Sequence, residues 1–279
     1  MRRSWSFDNF HLKLIALVTM LIDHIGAIIV SYFWPGGVVY ALLRIIGRIA
    51  FPLFAFMISE GVLHSKKPIR YLMRLAVSAL LIGTAIYIID ANSSFSFFNG
   101  NIFVDLLVAA LAIFALRQKG WFKALAVIPT AAAVALFIFD APVFLEMEYH
   151  LYGFTMAVGF YLIRQLGNWY LRRQTEKFGI SYVGMTLTPQ YQQQQNVYAS
   201  IWLLTVNLIW YIIFVIDADF VNLSMGAQTY SIMAAFFLFA YSGRRGYNKA
   251  WFQYGSYAFY PLHLIVLYGI LQLVILLSI

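Results

Sequence analysis

The chain has 279 residues, of which 62% are hydrophobic, 18% aromatic and only 11% charged, with a net charge of +8 and no cysteine. An ordinary globular domain is about 45–50% apolar and about 25% charged, so these numbers exclude a soluble monomer and a disordered chain. The lack of cysteine excludes disulfide and thiolate-metal chemistry, and what remains is a protein dissolved in a bilayer.

A spanning helix needs about 20 mostly apolar residues. Windows of that length give nine candidates, at 12–33, 38–62, 70–90, 101–116, 121–139, 149–168, 198–216, 226–242 and 253–279. The expected fold is an all-α polytopic integral membrane bundle of about nine transmembrane helices, one domain over 1–279. The first apolar run is too long for a cleaved signal peptide, and no small-residue cleavage site follows it. The longest connection, 169–197, is polar and low-complexity around Gln192 to Gln195 and Asn196, and reads as a cytoplasmic loop. Trp5, Trp34, Trp121, Trp169 and Trp251 sit near span ends, where interfacial anchors belong.

All but two of the 19 Lys and Arg fall before or within the start of span 1, or around alternate connections. Lys66, Lys67, Arg70 and Arg74 follow span 2. Arg117, Lys119 and Lys123 follow span 4. Arg164, Arg172, Arg173 and Lys177 surround the 6–7 connection, and Arg244, Arg245 and Lys249 follow span 8. The opposite connections hold acids such as Asp140, Glu146, Glu148 and Asp217. Positive charge stays cytoplasmic, so the N-terminus is expected inside, in a multi-pass protein of a bacterial cytoplasmic membrane. Opposed signs on opposed faces also exclude nucleic acid as the partner. The basic excess faces anionic lipid headgroups.

The two remaining cations, Arg44 and Arg48, are spaced i,i+4 on one face of span 2. Each costs about 2.5–3.5 kcal/mol at mid-membrane on insertion scales. Pro52 cannot donate to the Arg48 carbonyl, so a kink is expected there. Asp23 in span 1 is a candidate counter-ion for either arginine. His24, its neighbour, points about 100° away and cannot pair with it. It is therefore a candidate general base, or else a polar residue bridging helices. His263 follows Pro261 in span 9, at a second expected kink. Glu60 ends span 2, with Arg70 or Arg74 as expected partners and His64 one turn on. That group reads as structural or as a contact for a cytosolic phosphate ligand. On the outer side, Asn101 and Asp105 open span 4, and Glu148, Tyr149 and His150 open span 6. They read as solvated loop ends or as the lining of an outer vestibule. The five histidines lie in five segments with no pair at ligand spacing, so no metal is expected.

Leu14 to Gly26, LIALVTMLIDHIG, resembles the first segment of the TraX family, and Gly47 to Gly61, GRIAFPLFAFMISEG, resembles its most characteristic segment. Gly100-Asn101-Ile102, Tyr152-Gly153 and FYPLHL at 259–264 follow in the expected order. The resemblance implies transfer of an acyl group, typically acetyl from acetyl-CoA or another acyl-CoA, to an amine or hydroxyl of a cell-envelope protein, glycan or lipid. It implies His24 as base, Asp23 orienting or electrostatically balancing the site, Arg48, alone or with Arg44, on the donor phosphate or the oxyanion, and His263 as a supporting partner of the base or an alternative base. Lys13 followed by His24 three turns later is similar to a basic-residue-then-His pattern of broader membrane acyltransferase families, in which Arg is more usual than Lys. The rival class is a transporter or channel using the buried Arg, Asp and His as a proton or anion pathway. A third is a non-catalytic assembly protein.

Overall fold

The computed structural model describes residues 6–92, 100–139, 145–217 and 225–277. Arg2, Arg3, Trp5 and Asp140 lie outside them. Regular structure among the described residues is helical, apart from a single parallel bridge between Phe7 and Tyr241.

Helix α1 runs from Asn9 to Phe33. Asp8 caps it by accepting from the His11 backbone N–H. After His24 it widens into a π-helical stretch, Ile25–Val30. Helix α2, Val38–His64, breaks at Arg48 and Ile49 between two α-helical halves. This is where Pro52 withholds the N–H that the Arg48 carbonyl would accept. Then come α3 (Pro68–Asn92), α4 (Ile102–Leu116) and α5 (Gly120–Ile138). Helix α6 covers His150–Phe178, the short α7 Tyr182–Thr186 and α8 Pro189–Ile216. Helix α9 is built from Met225–Gln228, a 3-10 stretch Thr229–Met233 and Ala234–Phe239, and α10 covers Ala250–Leu277.

Each of the nine candidate spans falls on one of these rods. Six of them, α1, α2, α3, α5, α8 and α10, are long and apolar enough to cross a membrane. The rods α4 and α9 are apolar but shorter. At 29 residues α6 is long, but it carries Arg164 and a polar final third. The four described tryptophans at span ends are 50–72% exposed on the bundle surface.

The stretch 169–197 is not the loop expected from its composition. Helix α6 continues to Phe178 and stops at Gly179, whose left-handed backbone closes it. Helix α8 begins at Pro189, capped by the Thr188 hydroxyl. A run of Gln and Asn without Gly or Pro has no reason to leave a helix, and here it gains partners. Gln195 donates to the Asn168 side chain at 3.1 Å, and Asn196 to the Tyr241 carbonyl at 2.6 Å.

The centre of the bundle is α2 packed against α1, α4 and α6. Phe51, Leu53, Ile113, Tyr152 and Met156 are almost wholly enclosed there. Helices α3, α5, α8, α9 and α10 surround it, and α10 leans on the π-helical part of α1.

Candidate functional site

Two interruptions of regular helix meet near one level of the bundle, the π stretch of α1 and the break in α2. Helix α10 packs against the first and carries Pro261 within a continuous helix, so the second expected kink does not interrupt it. Asp23, buried in α1, receives Arg44 at 2.7 Å and Arg48 at 3.6 Å. The question of which arginine pairs with it therefore resolves to both. The approach depends on Gly47, since a Cβ there would land on the Asp23 carboxylate. Arg48 also donates to the Gln228 side-chain oxygen at 3.2 Å, while its Nε–H has no partner.

His24 turns the other way and meets His263, as its 100° offset from Asp23 requires. His24 Nδ1 lies 2.6 Å from His263 Nε2, with the rings 12° from parallel. The direction of this bond follows from its far end. His263 Nδ1 lies 2.7 Å from the Phe259 carbonyl, which can only accept, so Nδ1 carries the proton. His263 Nε2 then accepts from His24 Nδ1–H, and His24 Nε2 is left with the lone pair.

The third wall comes from the connection before α6. Glu148, expected at a solvated outer end, folds inward and accepts from the Tyr260 hydroxyl at 3.4 Å. Burial and the neighbouring Asp23 carboxylate push its carboxyl up to about 7, against the pull of Arg48 and Arg44. Asp105 holds this segment in place. Its two oxygens accept from the Glu148 and Tyr149 backbone N–H groups at 2.8 and 3.1 Å. Asn101 donates its own N–H to the Glu146 carbonyl and its side chain to the Ala79 carbonyl. Gly100, at φ 122°, lies against the Glu148 backbone where a Cβ would not fit. Asn101 and Asp105 are 0% and 1% exposed, so they act as braces and do not line a vestibule. Their polar atoms are already engaged.

Behind Arg48 lies a polar network that the sequence reading did not single out. Gln228 donates to the Tyr152 hydroxyl, which also contacts Asn207 and Ser231. Ser231 in turn donates to Asn207 at 2.9 Å. The available signal was Asn207, an amide inside the mainly apolar run 201–216.

Three cavities lie in series toward this site. The first is about 520 Å³, on the side assigned to the cytoplasm, with Lys13, Lys66, Arg74 and Arg245 in its wall. The second, about 160 Å³, is mainly apolar and shares Lys13, Gly61, Tyr71 and Tyr257 with the first. The third is only about 10 Å³, close to the space one water needs. It shares Met20, Ile102 and Tyr260 with the second and is walled by Asp23, His24, Glu148 and Tyr149. Lys13, Leu17, Met20 and His24 thus follow one face of α1 along the whole path. Neither Arg44 nor Arg48 lines the smallest cavity. Both lie behind Asp23.

Two other expected residues stand apart. Glu60 pairs with Arg164 of α6 and, at 3.5 Å, with His64, and neither Arg70 nor Arg74 is its partner. Helix α6 packs directly on α2, which brings Arg164 closer than the α3 cations. Glu60 nevertheless reaches the wall of the cytoplasmic cavity. His150 begins α6 at φ 47°, edge-on to Phe137 at 5.9 Å, with Nδ1 unbonded and no place in the three cavities.

Comparison with known proteins matches the family model described as TraX protein over residues 9–188. A probable fimbrial assembly protein FimC, serogroup H1, of Dichelobacter nodosus is 33% identical over 121 residues, which are 40% of this chain and 48% of that protein. The match thus spans about half of that relative's length. No solved structure matches. The matched segment contains α1 to α6 and with them Asp23, His24, both arginines and Glu148. Well over half of the chain falls inside the family model, and this multi-pass membrane protein belongs to the TraX family.

Proposed function

We propose that the protein is an integral-membrane acyltransferase that takes an acyl group, acetyl in the simplest case, from a cytosolic acyl-CoA. The acceptor is an amine or hydroxyl of a cell-envelope component. The observation that carries this reading is the His24–His263 bond, which leaves a lone pair on His24 Nε2 at the inner end of a path with a basic mouth. A polyanionic nucleotide suits that mouth, and an uncharged thioester arm suits the apolar cavity beyond it.

In the reaction, the acceptor nitrogen or oxygen attacks the thioester carbonyl while His24 Nε2 takes its proton. His263, bonded to Phe259, holds the imidazole in the required tautomer and spreads the charge it gains. The tetrahedral adduct collapses with loss of the CoA thiolate, which recovers the proton from His24. The Tyr260 hydroxyl and the positive field of Arg48 and Arg44 favour the developing oxyanion, and Asp23 keeps the two guanidinium groups in register. Direct transfer requires no acyl-enzyme. The name of the Dichelobacter relative supports an acceptor connected with fimbrial assembly.

The test is acyl-CoA turnover by the purified protein in detergent, with thiol release as readout. Wild type should turn over acetyl-CoA, and His24→Ala should lose about 10²-fold or more while keeping its elution volume. Substrate flux through vesicles with no thiol release would overturn the enzyme reading in favour of a transporter.

A further inference from the structure

We propose that an anionic phospholipid of the cytoplasmic leaflet binds between α3 and α10, with one acyl chain in a groove and its phosphate on Arg74. This goes beyond the acyl-transfer reading and does not depend on it. The two helices leave an apolar groove of about 510 Å³, within the range of about 300–1,000 Å³ usual for small-ligand sites. Its walls are Met73, Val77 and Leu81 of α3 and Tyr254, Ala258 and Leu262 of α10. Met73, Val77, Leu81, Tyr254 and Leu262 are 54–62% exposed in the isolated chain, so the groove opens outward to where lipid tails lie. Both helices are membrane-spanning by length and composition. Along α3 the groove runs for about 13 Å at about 1.5 Å per residue.

Charge selects the occupant. Arg74 closes the end of the groove nearest the basic connection. Among the described residues no carboxylate lies within ion-pair distance of it. Its Nε–H is buried without a partner, and its remaining contacts are weak: Gln253 Oε1 at 3.5 Å and the faces of Tyr71 and Tyr257 at 5.8 and 5.9 Å. A guanidinium with an open donor, at the headgroup end of an apolar slot, matches a phosphate joined to a hydrocarbon chain. The leaflet on that side is the one rich in anionic lipid. A docked helix would satisfy the apolar wall and leave the arginine without a counter-ion.

Native mass spectrometry of the detergent-purified full chain tests this with phosphatidylglycerol and phosphatidylethanolamine of identical acyl chains. The wild type should retain phosphatidylglycerol at least fivefold better. Arg74→Gln should remove that preference, Arg74→Lys should keep much of it, and Ala258→Trp, which fills the groove, should lower binding of both lipids. Equal retention of the two lipids by the wild type would overturn the proposal. So would unchanged binding in Arg74→Gln or Ala258→Trp, or competition by glycerol 3-phosphate as strong as by the whole lipid. If Arg74→Gln does not elute as a single species, the Ala258→Trp and glycerol 3-phosphate arms decide.

Discussion

Gly47 is the residue on which the charge cluster rests. Its missing side chain lets the Asp23 carboxylate sit against α2, within 2.7 Å of Arg44 and 3.6 Å of Arg48. Gly47→Ala should push Asp23 aside and cost about 1–3 kcal/mol, the usual range for overpacking a close contact. A lowered melting temperature in detergent together with reduced thiol release is the expected result. A variant with both unchanged would show that Asp23 does not need this seat. Glu148 offers a second test through pH. Its carboxyl is raised to about 7 in the fold from an ordinary 4.5, so the fold prefers the neutral form. Its contribution to stability is complete below about pH 4.5 and lost as pH rises through about 7. The groups facing it are Asp23, Arg44, Arg48, Tyr260, Asp105 and Tyr149. Glu148→Gln is permanently neutral. Its melting temperature relative to wild type should therefore rise between pH 5 and pH 8, and a difference that stays flat over that range would contradict the assignment.

At the scale of elements, the site exists because α1 and α2 are irregular at one depth and α10 packs on the irregular part of α1. One of these irregularities was legible in the sequence, since Pro52 removes a backbone donor; Pro261 removes one too, but α10 runs through it unbroken. The π stretch Ile25–Val30 was not legible, because its one glycine, Gly26, weakens a helix without specifying a π turn, and the α2 and α10 packing against it is long-range. The spans themselves were legible from apolar run length, and Arg44, Arg48, Asp23 and His24 stood out as ionisable residues in apolar surroundings. Glu148 could not be assigned in that way. An acid in a connecting segment reads as solvated unless the buried Asp105 that folds it inward is known, and Asp105 lies 43 residues away in sequence. The partner of Glu60 had the same difficulty, as Arg164 is 104 residues away. The α8–α9 network is also a long-range product, and it gives a test of its own. Gln228→Leu would leave Arg48 NH1 and the Tyr152 hydroxyl each short of a partner, at about 1–3 kcal/mol for an unsatisfied buried group. Thermal stability should fall. On the acyl-transfer reading kcat should drop more than KM rises, because Arg48 would be misaligned while the donor path stays intact. A rise in KM alone would place Gln228 on the donor path instead.

For the whole molecule, the relevant arrangement is the change of polarity along the three cavities. The outermost is ringed by Lys13, Lys66, Arg74 and Arg245, the next is apolar, and the innermost is small and bordered by ionisable groups. A cytosolic donor carrying several phosphates would be drawn to the outer ring by a field that salt screens over about 10 Å at 0.1 M. Lys66 and Arg245 are exposed at that ring and lie outside the apolar and innermost cavities. They can therefore affect capture without touching the chemistry. Each exposed charge contributes at most about 1 kcal/mol, so Lys66→Gln with Arg245→Gln should raise the KM for acetyl-CoA about three- to tenfold. The value of kcat should stay near wild type, and the dependence of KM on ionic strength should become shallower. A double variant with the wild-type KM at low salt would mean that the donor does not enter through this mouth, and the series of cavities would then have to serve another ligand.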